Sequence, residues 1–310
     1  MRARRYKIAC LAGDGIGPEL MAEASRAIWA VSRLHGFVVD EAHVPFGGDA
    51  VRRFGHPLPP ATRAACREAD AVLIAATREP ALEGVKAELD LTWRMTRVRA
   101  SDTRLTVVSP LADDAQELAV DRAFALACNR QARVTSVGAT QSWRALVDRV
   151  AESCPGVIVE HRSFDSVVPT LFRSPGAFDV IVSEQVFAEA LSHTAAYAHG
   201  TTRMVASGRL SERSAGIFGP THGSADEIAG QGVANPSGML LAAALMLEGL
   251  GERTAARTLD NAVAETLGNG VRTPDLVSSG VGATTREFMD VLLAALPGAR
   301  TDTEFAGVAA

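Results

Sequence analysis

The sequence predicts an α/β fold, in which the strands of a largely parallel sheet alternate with helices. Three observations support this fold class. The first 76 residues alternate between short apolar runs and stretches with helical periodicity. Residues 71–76 are apolar throughout, as in a strand that is buried on both faces of a parallel sheet. With 310 residues, 47% of them hydrophobic, the chain can form about two domains, each with a full core.

The N-terminal segment is predicted to contain a strand at residues 7–12 and a helix from residue 18 to about residue 34. Three glycines between residues 13 and 17 form the turn between them. Pro18 suits the first helical position, where a backbone N–H has no helical partner. The glycine spacing differs from the G-x-G-x-x-G dinucleotide fingerprint. On spacing alone, the turn indicates a tight connection between strand and helix.

The same reasoning predicts the remaining elements. Further strands are predicted at residues 37–44, 71–76, 106–110, 133–137, 157–161, 180–183 and 203–207. Further helices are predicted at residues 61–69, 121–132, 142–153, 164–172, 184–198, 236–249, 253–267 and 284–295. The longest apolar helical run, residues 239–247, ends at Glu248 and is too short to span a bilayer.

Charge and cysteine usage exclude several classes of protein. The net charge of −5 favours neither nucleic acid nor an anionic membrane as a partner. The four cysteines have no C-x-x-C spacing, so we expect reduced thiols in a cytoplasmic protein. The apolar run after the basic N-terminus, residues 8–12, is too short for a signal peptide.

A polar, glycine-rich segment, HGSADEIAGQGVANP, occupies residues 222–236. Its composition is typical of an ordinary long surface loop. Residues this small also let a ligand approach the backbone closely. Asp226 and Glu227 can accept hydrogen bonds from a sugar diol and would repel a phosphate on that sugar. The residues alone leave both interpretations open.

Three strings, in this order, resemble those of the isocitrate/isopropylmalate dehydrogenase family, the β-decarboxylating dehydrogenases. They are GDGIGPE at residues 13–19, FDVIVSEQVFAE at residues 178–189 and the glycine-rich segment at residues 222–236. The resemblance implies an isopropylmalate dehydrogenase-like fold, with two α/β domains and a cleft between them. It implies a discontinuous nucleotide-binding domain at residues 1–99 plus 205–310, and a smaller domain at residues 100–204 with a shortened dimerisation arm.

The resemblance also implies NAD as the cofactor, because the family's loop holds the adenosine half of that molecule. The candidate cofactor residues are Ile16, His222, Gly223, Ser224, Ala225, Glu227 and Asn235. Members of the family that use NADP place a lysine and a tyrosine near this loop, and this chain has neither. The sequence therefore predicts NAD over NADP.

The substrate side departs from the family, which holds its carboxylate substrate with arginines. Lys86 falls on the first arginine position, and Thr96 falls on the second, with Arg94 and Arg97 beside it. A guanidinium holds a carboxylate with two parallel bonds, which an ammonium does less well. Lys86, Arg94 and Arg97 are the candidate substrate residues. The alternative interpretation of the arginines is a solvated surface.

The family's proton-transfer residues are absent. Ala139 occupies the position of the catalytic lysine, and the segment that would carry the tyrosine is reduced to residues 112–120. Alanine cannot move a proton. Glu184, His193 or water are the candidates for a substitute relay.

Three residues fall on the family's metal-binding aspartate positions: Asp165, which the family donates across the dimer, Glu189 and His193. Glu189 and His193 are four apart and so face the same side of a helix. Two carboxylates and one imidazole suit manganese, iron or zinc better than magnesium. The alternative is a decayed site, in which His193 is an ordinary helix histidine.

Two functions stay open. One is an NAD-dependent oxidoreductase acting on an unusual 2-hydroxy (di)carboxylic acid, with a divalent metal as a further candidate cofactor. The other is a catalytically inactive family member that serves as a regulatory or assembly subunit; a lyase without hydride transfer is a third possibility. The expected partners are NAD, a small carboxylate substrate and a second copy in a homodimer, with no nucleic acid and no membrane.

Overall fold

The computed structural model describes residues 3–76, 79–99, 104–198, 204–213, 215–278 and 281–297. In these residues the predicted α/β class is confirmed, with ten strands in one mixed sheet. The strands are β1 (Arg4–Gly13), β2 (Phe37–His43), β3 (Ala71–Ala76), β4 (Trp93–Arg99), β5 (Arg104–Pro110), β6 (Arg133–Val137), β7 (Ile158–Arg162), β8 (Val180–Ser183), β9 (Val205–Leu210) and β10 (Gly216–Pro220). The helices are α1 (Gly17–His35), α2 (Gly47–Phe54), α3 (Pro60–Glu68), α4 (Glu79–Glu88), α5 (Gln116–Cys128), α6 (Gln141–Glu152), α7 (Phe164–Arg173), α8 (Gln185–Ala198), α9 (Ser237–Gly249), α10 (Arg253–Gly268) and α11 (Thr285–Ala295).

The sheet consists of two parallel halves joined by antiparallel strands. Its order is β2-β1-β3-β10-β9-β4-β5-β8-β6-β7. Strands β1, β2, β3 and β10 are parallel to one another, as are β5, β8, β6 and β7. Strand β9 is antiparallel to both of its neighbours, and β4 is antiparallel to β9 and β5. The predicted domain boundaries near residues 100 and 204 adjoin residues outside the described ranges, and they stay a prediction.

Successive side chains of each strand point to opposite faces, so the sheet has a core on both sides. One face packs against α1, α5, α6, α9, α10 and α11. The other face is covered by α3 and α4 over the first half and by α7 and α8 over the second half. The central strands β9 and β4 lie between these two helical layers, and a cleft opens there.

Helix α9 forms the centre of the larger core. Its residues from Ser237 to Leu247 are all buried, which agrees with a segment that is apolar on every side. None of the described helices is long and apolar enough to cross a membrane.

Strands β4 and β10 and helices α2 and α4 were not predicted, and the bounds of several other elements differ from the prediction. Helix α2 begins at Gly47, outside the predicted helices, and the Asp14 side chain accepts a hydrogen bond from the Gly48 N–H at 2.7 Å. That capping contact comes from another part of the chain, so the local sequence does not indicate it. Helix α5 begins at Gln116 rather than residue 121, because Ala119 and Val120 continue the apolar stripe of the helix.

The connection that follows β5 is short. Strand β5 ends at Pro110, a short 3-10 turn spans Asp113–Ala115, and α5 starts at the next residue. Residues 104–128 are all described, and this stretch contains no additional strand. The chain therefore passes directly from the central sheet into α5.

Candidate functional site

The cleft on the open face of β4 and β9 has a volume of about 450 Å³. Strands β4 and β9 form its floor, α8 forms one wall, and the start of the glycine-rich loop forms another. The polar residues that line it include Arg94, Thr96, Ser207, Arg209, Glu189, His193 and His222. An adjoining cavity of about 500 Å³ shares Arg94, Glu189 and Arg209 and is also lined by Lys86.

Strand alternation separates the two arginines that were predicted together. Arg94 and Thr96 face the cleft, whereas Arg97 is fully buried on the opposite face with Trp93 and Met95. The prediction that Arg97 binds substrate is therefore corrected: an odd number of residues along a strand reverses the side-chain direction. Arg97 donates instead to the Glu248 carboxylate on α9.

Arg97 belongs to a buried charge cluster behind the floor of the cleft. Arg99 and Arg104 contact Asp260 at 3.2 and 3.3 Å, and the guanidinium of Arg130 lies 3.0 Å from Asp179. Burial alone would raise the pKa of Glu248, but the charge of Arg97 and its hydrogen bond outweigh burial, so this pKa is lowered. Burial lowers the pKa of Arg130 to about 10. The ion pairs of Arg97, Arg99 and Arg104 join β4 and β5 to α9 and α10.

Arg209 is a cleft residue that sequence reasoning missed. Strand β9 was predicted to end at residue 207, but it continues to Leu210. Arg94 and Arg209 pair directly across the antiparallel strands, and Thr96 pairs with Ser207. Alternation along a longer predicted strand would have placed Ser207 and Arg209 on the same face.

Glu189 and His193 both line the cleft, and Glu189 forms an ion pair with Arg94. Arg94 Nη1 donates to Glu189 Oε1 at 2.7 Å. This hydrogen bond, together with the charges of Arg94, Arg209 and His193, lowers the pKa of Glu189. The carboxylate is therefore ionised and already paired. At the outer edge, Lys86 Nζ lies 2.5 Å from Glu83 Oε1.

The residues of one chain do not fit a divalent cation in this cleft. Asp165 is exposed in the first turn of α7 and is not among the residues that line the cleft. In the described part of the chain, Asp165, Glu189 and His193 do not form a group of three ligand atoms within 4.8 Å of one another. The carboxylate of Glu189 is paired with a guanidinium, which would repel a metal ion.

Cys10, Glu41 and His43 do come within that distance, on β1 and β2. Glu41 Oε2 already accepts from the Ser25 hydroxyl at 2.6 Å and lies 2.9 Å from His43 Nε2. Burial raises the pKa of the Cys10 thiol, which keeps it protonated. A thiol must lose its proton to bind a metal, so this group is not poised for one.

Glu184, a candidate proton carrier, is engaged by the loop before α6. Its carboxylate accepts from the Ala139 N–H at 2.8 Å and from the Thr140 hydroxyl at 2.6 Å. It is absent from the residues that line the cleft. Glu184 and His193 both stay predictions as the proton relay, and His193 is the one of the two that lines the cleft and is exposed.

The glycine turn and the glycine-rich loop pack against each other. The Ile16 N–H donates to the Ser224 carbonyl at 2.8 Å. Gly15 has a φ of +55°, and a Cβ added there would lie 1.9 Å from the Ser224 carbonyl oxygen. The next residue of the loop, Ala225, has a φ of 41° and a ψ of 55°, which is a left-handed conformation rare for alanine. Such backbone strain persists where surrounding contacts impose it, and it clusters at ligand sites.

The side-chain amide of Asn235 is buried and forms hydrogen bonds that hold the end of the loop in place. Its Oδ1 accepts from the Ser237 N–H at 3.0 Å, and its Nδ2 donates to Asp275 at 3.1 Å. Nearby, the Thr285 hydroxyl donates to the Ala234 carbonyl at 2.7 Å. The amide of Asn235 therefore holds the end of the loop against α9 and Asp275, and the Thr285 hydroxyl joins the loop to α11.

The outer side of the glycine-rich loop is open at three of its glycines. A Cβ placed on Gly223, Gly230 or Gly232 would contact nothing within 4 Å, so the outer side of the loop is open. Asp226 and Glu227 are both exposed there. The strained, anchored backbone and the exposed carboxylates fit the diol of an adenosine ribose.

Comparisons with known proteins agree with this geometry. A family model described as isocitrate/isopropylmalate dehydrogenase matches residues 7–100 and 96–292. The chain is 33% identical to 3-isopropylmalate dehydrogenase of Streptococcus thermophilus, with 94% of this chain and 99% of that protein covered. It is 30% identical to the Aquifex aeolicus protein of the same name, with 94% and 97% covered.

Solved structures give the same result. A β-decarboxylating dehydrogenase from Thermococcus kodakarensis superposes with a TM-score of 0.81 at 27% identity, covering 94% of this chain and 96% of that one. Isocitrate dehydrogenase from Methylococcus capsulatus gives a TM-score of 0.80 at 25% identity, covering 94% and 99%. The Streptococcus alignment runs over 346 positions, more than the 310 residues of this chain, so that relative has residues which this chain lacks.

Proposed function

The chain belongs to the isocitrate/isopropylmalate dehydrogenase family, and from that premise we propose that it binds NAD and oxidises a small hydroxy acid in the cleft. The observation that carries the proposal is the contact between Ile16 and Ser224, which joins the glycine turn to the glycine-rich loop. That contact lies beside a cleft whose floor is cationic. A pocket for a dinucleotide thus adjoins a pocket for an acid.

The chain's own residues hold the cofactor in this proposal. The exposed carboxylates of Asp226 and Glu227 accept hydrogen bonds from the adenosine ribose, and their charge disfavours a 2′-phosphate. Gly223 and Ser224 bring the backbone close to the ligand. Asn235 keeps the loop in place through Ser237 and Asp275. NAD, when bound, supplies a hydride acceptor for the carbon that carries the substrate hydroxyl.

The hydroxyl proton needs an acceptor other than the family's lysine. Ala139 stands at that position, and its backbone N–H is bonded to Glu184. His193 is the cleft residue best suited to accept the proton, because it is exposed and an imidazole ring nitrogen can act as a general base. Glu189 is a poor base, since Arg94 stabilises its ionised form.

A second candidate function is a non-catalytic subunit that binds NAD. The specific observation in its favour is the combination of Ala139 with the direct passage from β5 to α5, which leaves no place for the tyrosine-bearing arm in residues 104–128. Such a subunit would retain the cofactor loop for stability or regulation. It would bind NAD without producing NADH.

One experiment separates the two functions. NAD is titrated into the purified protein by calorimetry, and NADH formation is then followed at saturating NAD with isocitrate, isopropylmalate, malate and other 2-hydroxy acids. NADH formation that is lost in His193→Asn supports the oxidoreductase. NAD binding without NADH from any acid supports the non-catalytic subunit. Absence of NAD binding contradicts both.

A homodimer is part of the proposal. Phe172 on α7 and Val186 and Tyr197 on α8 are 56%, 77% and 69% exposed. Exposed large apolar side chains that cluster on adjacent helices are typical of a protein interface. Asp165 lies in the first turn of α7 and would be carried on the same surface. Sedimentation equilibrium tests the dimer, and Val186→Glu should shift it to monomer.

A further inference from the structure

We propose that Cys128 and Cys154 are a modification site, at which a small-molecule disulfide oxidises the two thiols to a reversible intramolecular disulfide. The reaction is thiol–disulfide exchange. The inference goes beyond the proposed function, because α5 and α6, which carry the two cysteines at their ends, pack on the face of the sheet that lies opposite the cleft.

The topology of the sheet brings the two cysteines to the same edge. Helix α5 joins β5 to β6, helix α6 joins β6 to β7, and these strands run parallel. The two helices are neighbours on one face of the sheet, so both run back antiparallel to the strands. Cys128 is the last residue of α5, and Cys154 follows the end of α6 at Glu152. The two thiols therefore lie at corresponding ends of adjacent helices.

Backbone hydrogen bonds join the segments that follow the two cysteines. The Ile158 N–H donates to the Ala132 carbonyl at 2.8 Å, which connects the start of β7 to the turn after α5. The Ala132 N–H closes that turn by donating to the Ala127 carbonyl at 3.0 Å. The Val157 N–H donates to the Cys154 carbonyl at 3.0 Å. Each cysteine is thus held by a turn, and the two turns are bonded to each other.

The two thiols are in contact and reduced. Both cysteines are free in this structure, and the Cys154 S–H donates a hydrogen bond to the Cys128 sulfur. Burial raises the pKa of the Cys154 thiol, and the neighbouring Cys128 raises it further. No large backbone movement is then needed to bring the two sulfurs to the covalent distance of about 2.0 Å.

Exposure assigns the order of the two steps. Cys128 is exposed and Cys154 is only partly exposed, so the Cys128 thiolate meets the external disulfide first. Its sulfur attacks one sulfur of that disulfide, whose S–S bond breaks and releases one thiol. The Cys154 sulfur then attacks the Cys128 sulfur and releases the second thiol. The two protons of the protein thiols pass to the released thiols, and the small-molecule disulfide gains the two electrons that the protein loses.

Oxidised glutathione, added to the folded full-length protein, is the probe that tests this inference. Free thiols are blocked at intervals, and tryptic peptides are analysed by mass spectrometry without reduction. Trypsin cleaves after arginine, so Cys128 lies in the peptide 123–130 and Cys154 in the peptide 150–162. We expect these two peptides to become linked and dithiothreitol to separate them. The other two cysteines are buried and should stay unlinked and free of glutathione, as an internal control.

Two variants and one comparison resolve the steps. Cys154→Ser should stop at a glutathione adduct on Cys128, because the second thiol is missing. Cys128→Ser should give no linked peptides. In the unmodified protein, the mixed disulfide should resolve at least about tenfold faster in the folded state than in urea, because the fold holds the two sulfurs together.

Four outcomes overturn the inference. They are the absence of linked peptides, a stable glutathione adduct on Cys128 of the unmodified protein, a link between two chains on a non-reducing gel, and equal rates of resolution in the folded state and in urea. None of these readouts involves NAD, so the inference and the proposed function can fail separately.

Discussion

Arg94 Nη1 donates a hydrogen bond to Glu189 Oε1 at 2.7 Å, which joins the floor of the cleft on β4 to the wall on α8. Glu189 stands at a position where a metal ligand was predicted, and its partner is a guanidinium. Glu189, the predicted metal ligand, is therefore one partner of an ion pair in this structure. The guanidinium also stabilises the ionised form of the carboxylate, which lowers the pKa of Glu189.

The ion pair predicts a specific dependence of stability on pH. Hydrogen bonding by Arg94 lowers the pKa of Glu189 below its ordinary value of 4.5. A lowered pKa in the folded state contributes stability above pH 4.5, which is lost as the pH falls through the folded-state pKa. Because Glu189 is mostly exposed, its contribution to the unfolding free energy should stay below about 1 kcal/mol. Urea unfolding of the unmodified protein and Glu189→Gln, from pH 7 downward, measures it. A difference that does not shrink below pH 4.5 contradicts the pairing.

Gly15→Ala should weaken NAD binding while the protein stays folded. The added Cβ would lie 1.9 Å from the Ser224 carbonyl oxygen and 2.6 Å from Asp226 Oδ1, so the loop must move. Gly36→Ala is the matched control, because Gly36 has a φ of +71° and nothing within 4 Å of an added Cβ. Both variants should lose about 1 kcal/mol from backbone strain, and NAD affinity should fall at least tenfold in Gly15→Ala alone. Calorimetry and urea unfolding supply the two readouts. Equal NAD affinity in both variants would show that the glycine-rich loop does not bind the cofactor.

Arg97→Met should destabilise the protein by about 3–5 kcal/mol, because it leaves the Glu248 carboxylate without its closest partner. The double variant Arg97→Met with Glu248→Met should recover much of that loss, since neither charge remains buried alone. Arg213→Met, at an exposed arginine, is the control and should change stability little. Urea unfolding measures all three. If Arg97→Met unfolds like the control and weakens malate binding, Arg97 is a substrate residue after all.

The cofactor loop should prefer NAD to NADP by at least about tenfold, which corresponds to about 1.4 kcal/mol. The carboxylates of Asp226 and Glu227 are exposed on the loop and repel a 2′-phosphate. Glu227→Gln should narrow the preference, chiefly by improving NADP binding. Titration of both dinucleotides into both proteins checks this, and tighter NADP binding to the unmodified protein would reject the placement of the ribose.

Sequence patterns predicted the positions of strands and helices better than they predicted the face of the sheet to which a side chain points. Buried strands such as Ala71–Ala76 and the apolar helix Ser237–Gly249 follow directly from composition and periodicity. Arg94 and Arg97 look equivalent in the sequence, and only the exact phase of β4 assigns one to the cleft and the other to the core. Strand alternation makes that assignment sensitive to a shift of one residue.

Contacts between distant parts of the chain could not be predicted from local sequence patterns. The bond from Gly48 to Asp14 caps a helix across 34 residues, and Glu184 bonds the loop at Thr140 across 44 residues. Arg209 was missed for a different reason. Strand β9 is continuous to Leu210, but Gly208 interrupts the apolar pattern of its sequence. Glycine weakens strand propensity, so the pairing with β4 rather than local preference extends β9.

Hydrogen–deuterium exchange of the unmodified protein, with and without NAD, tests the central claim most directly. The account predicts slower amide exchange in residues 13–17 and 222–236 when NAD is present, because those two segments form the cofactor pocket together. Unchanged exchange in both segments at saturating NAD, with protection elsewhere in the chain, would contradict it.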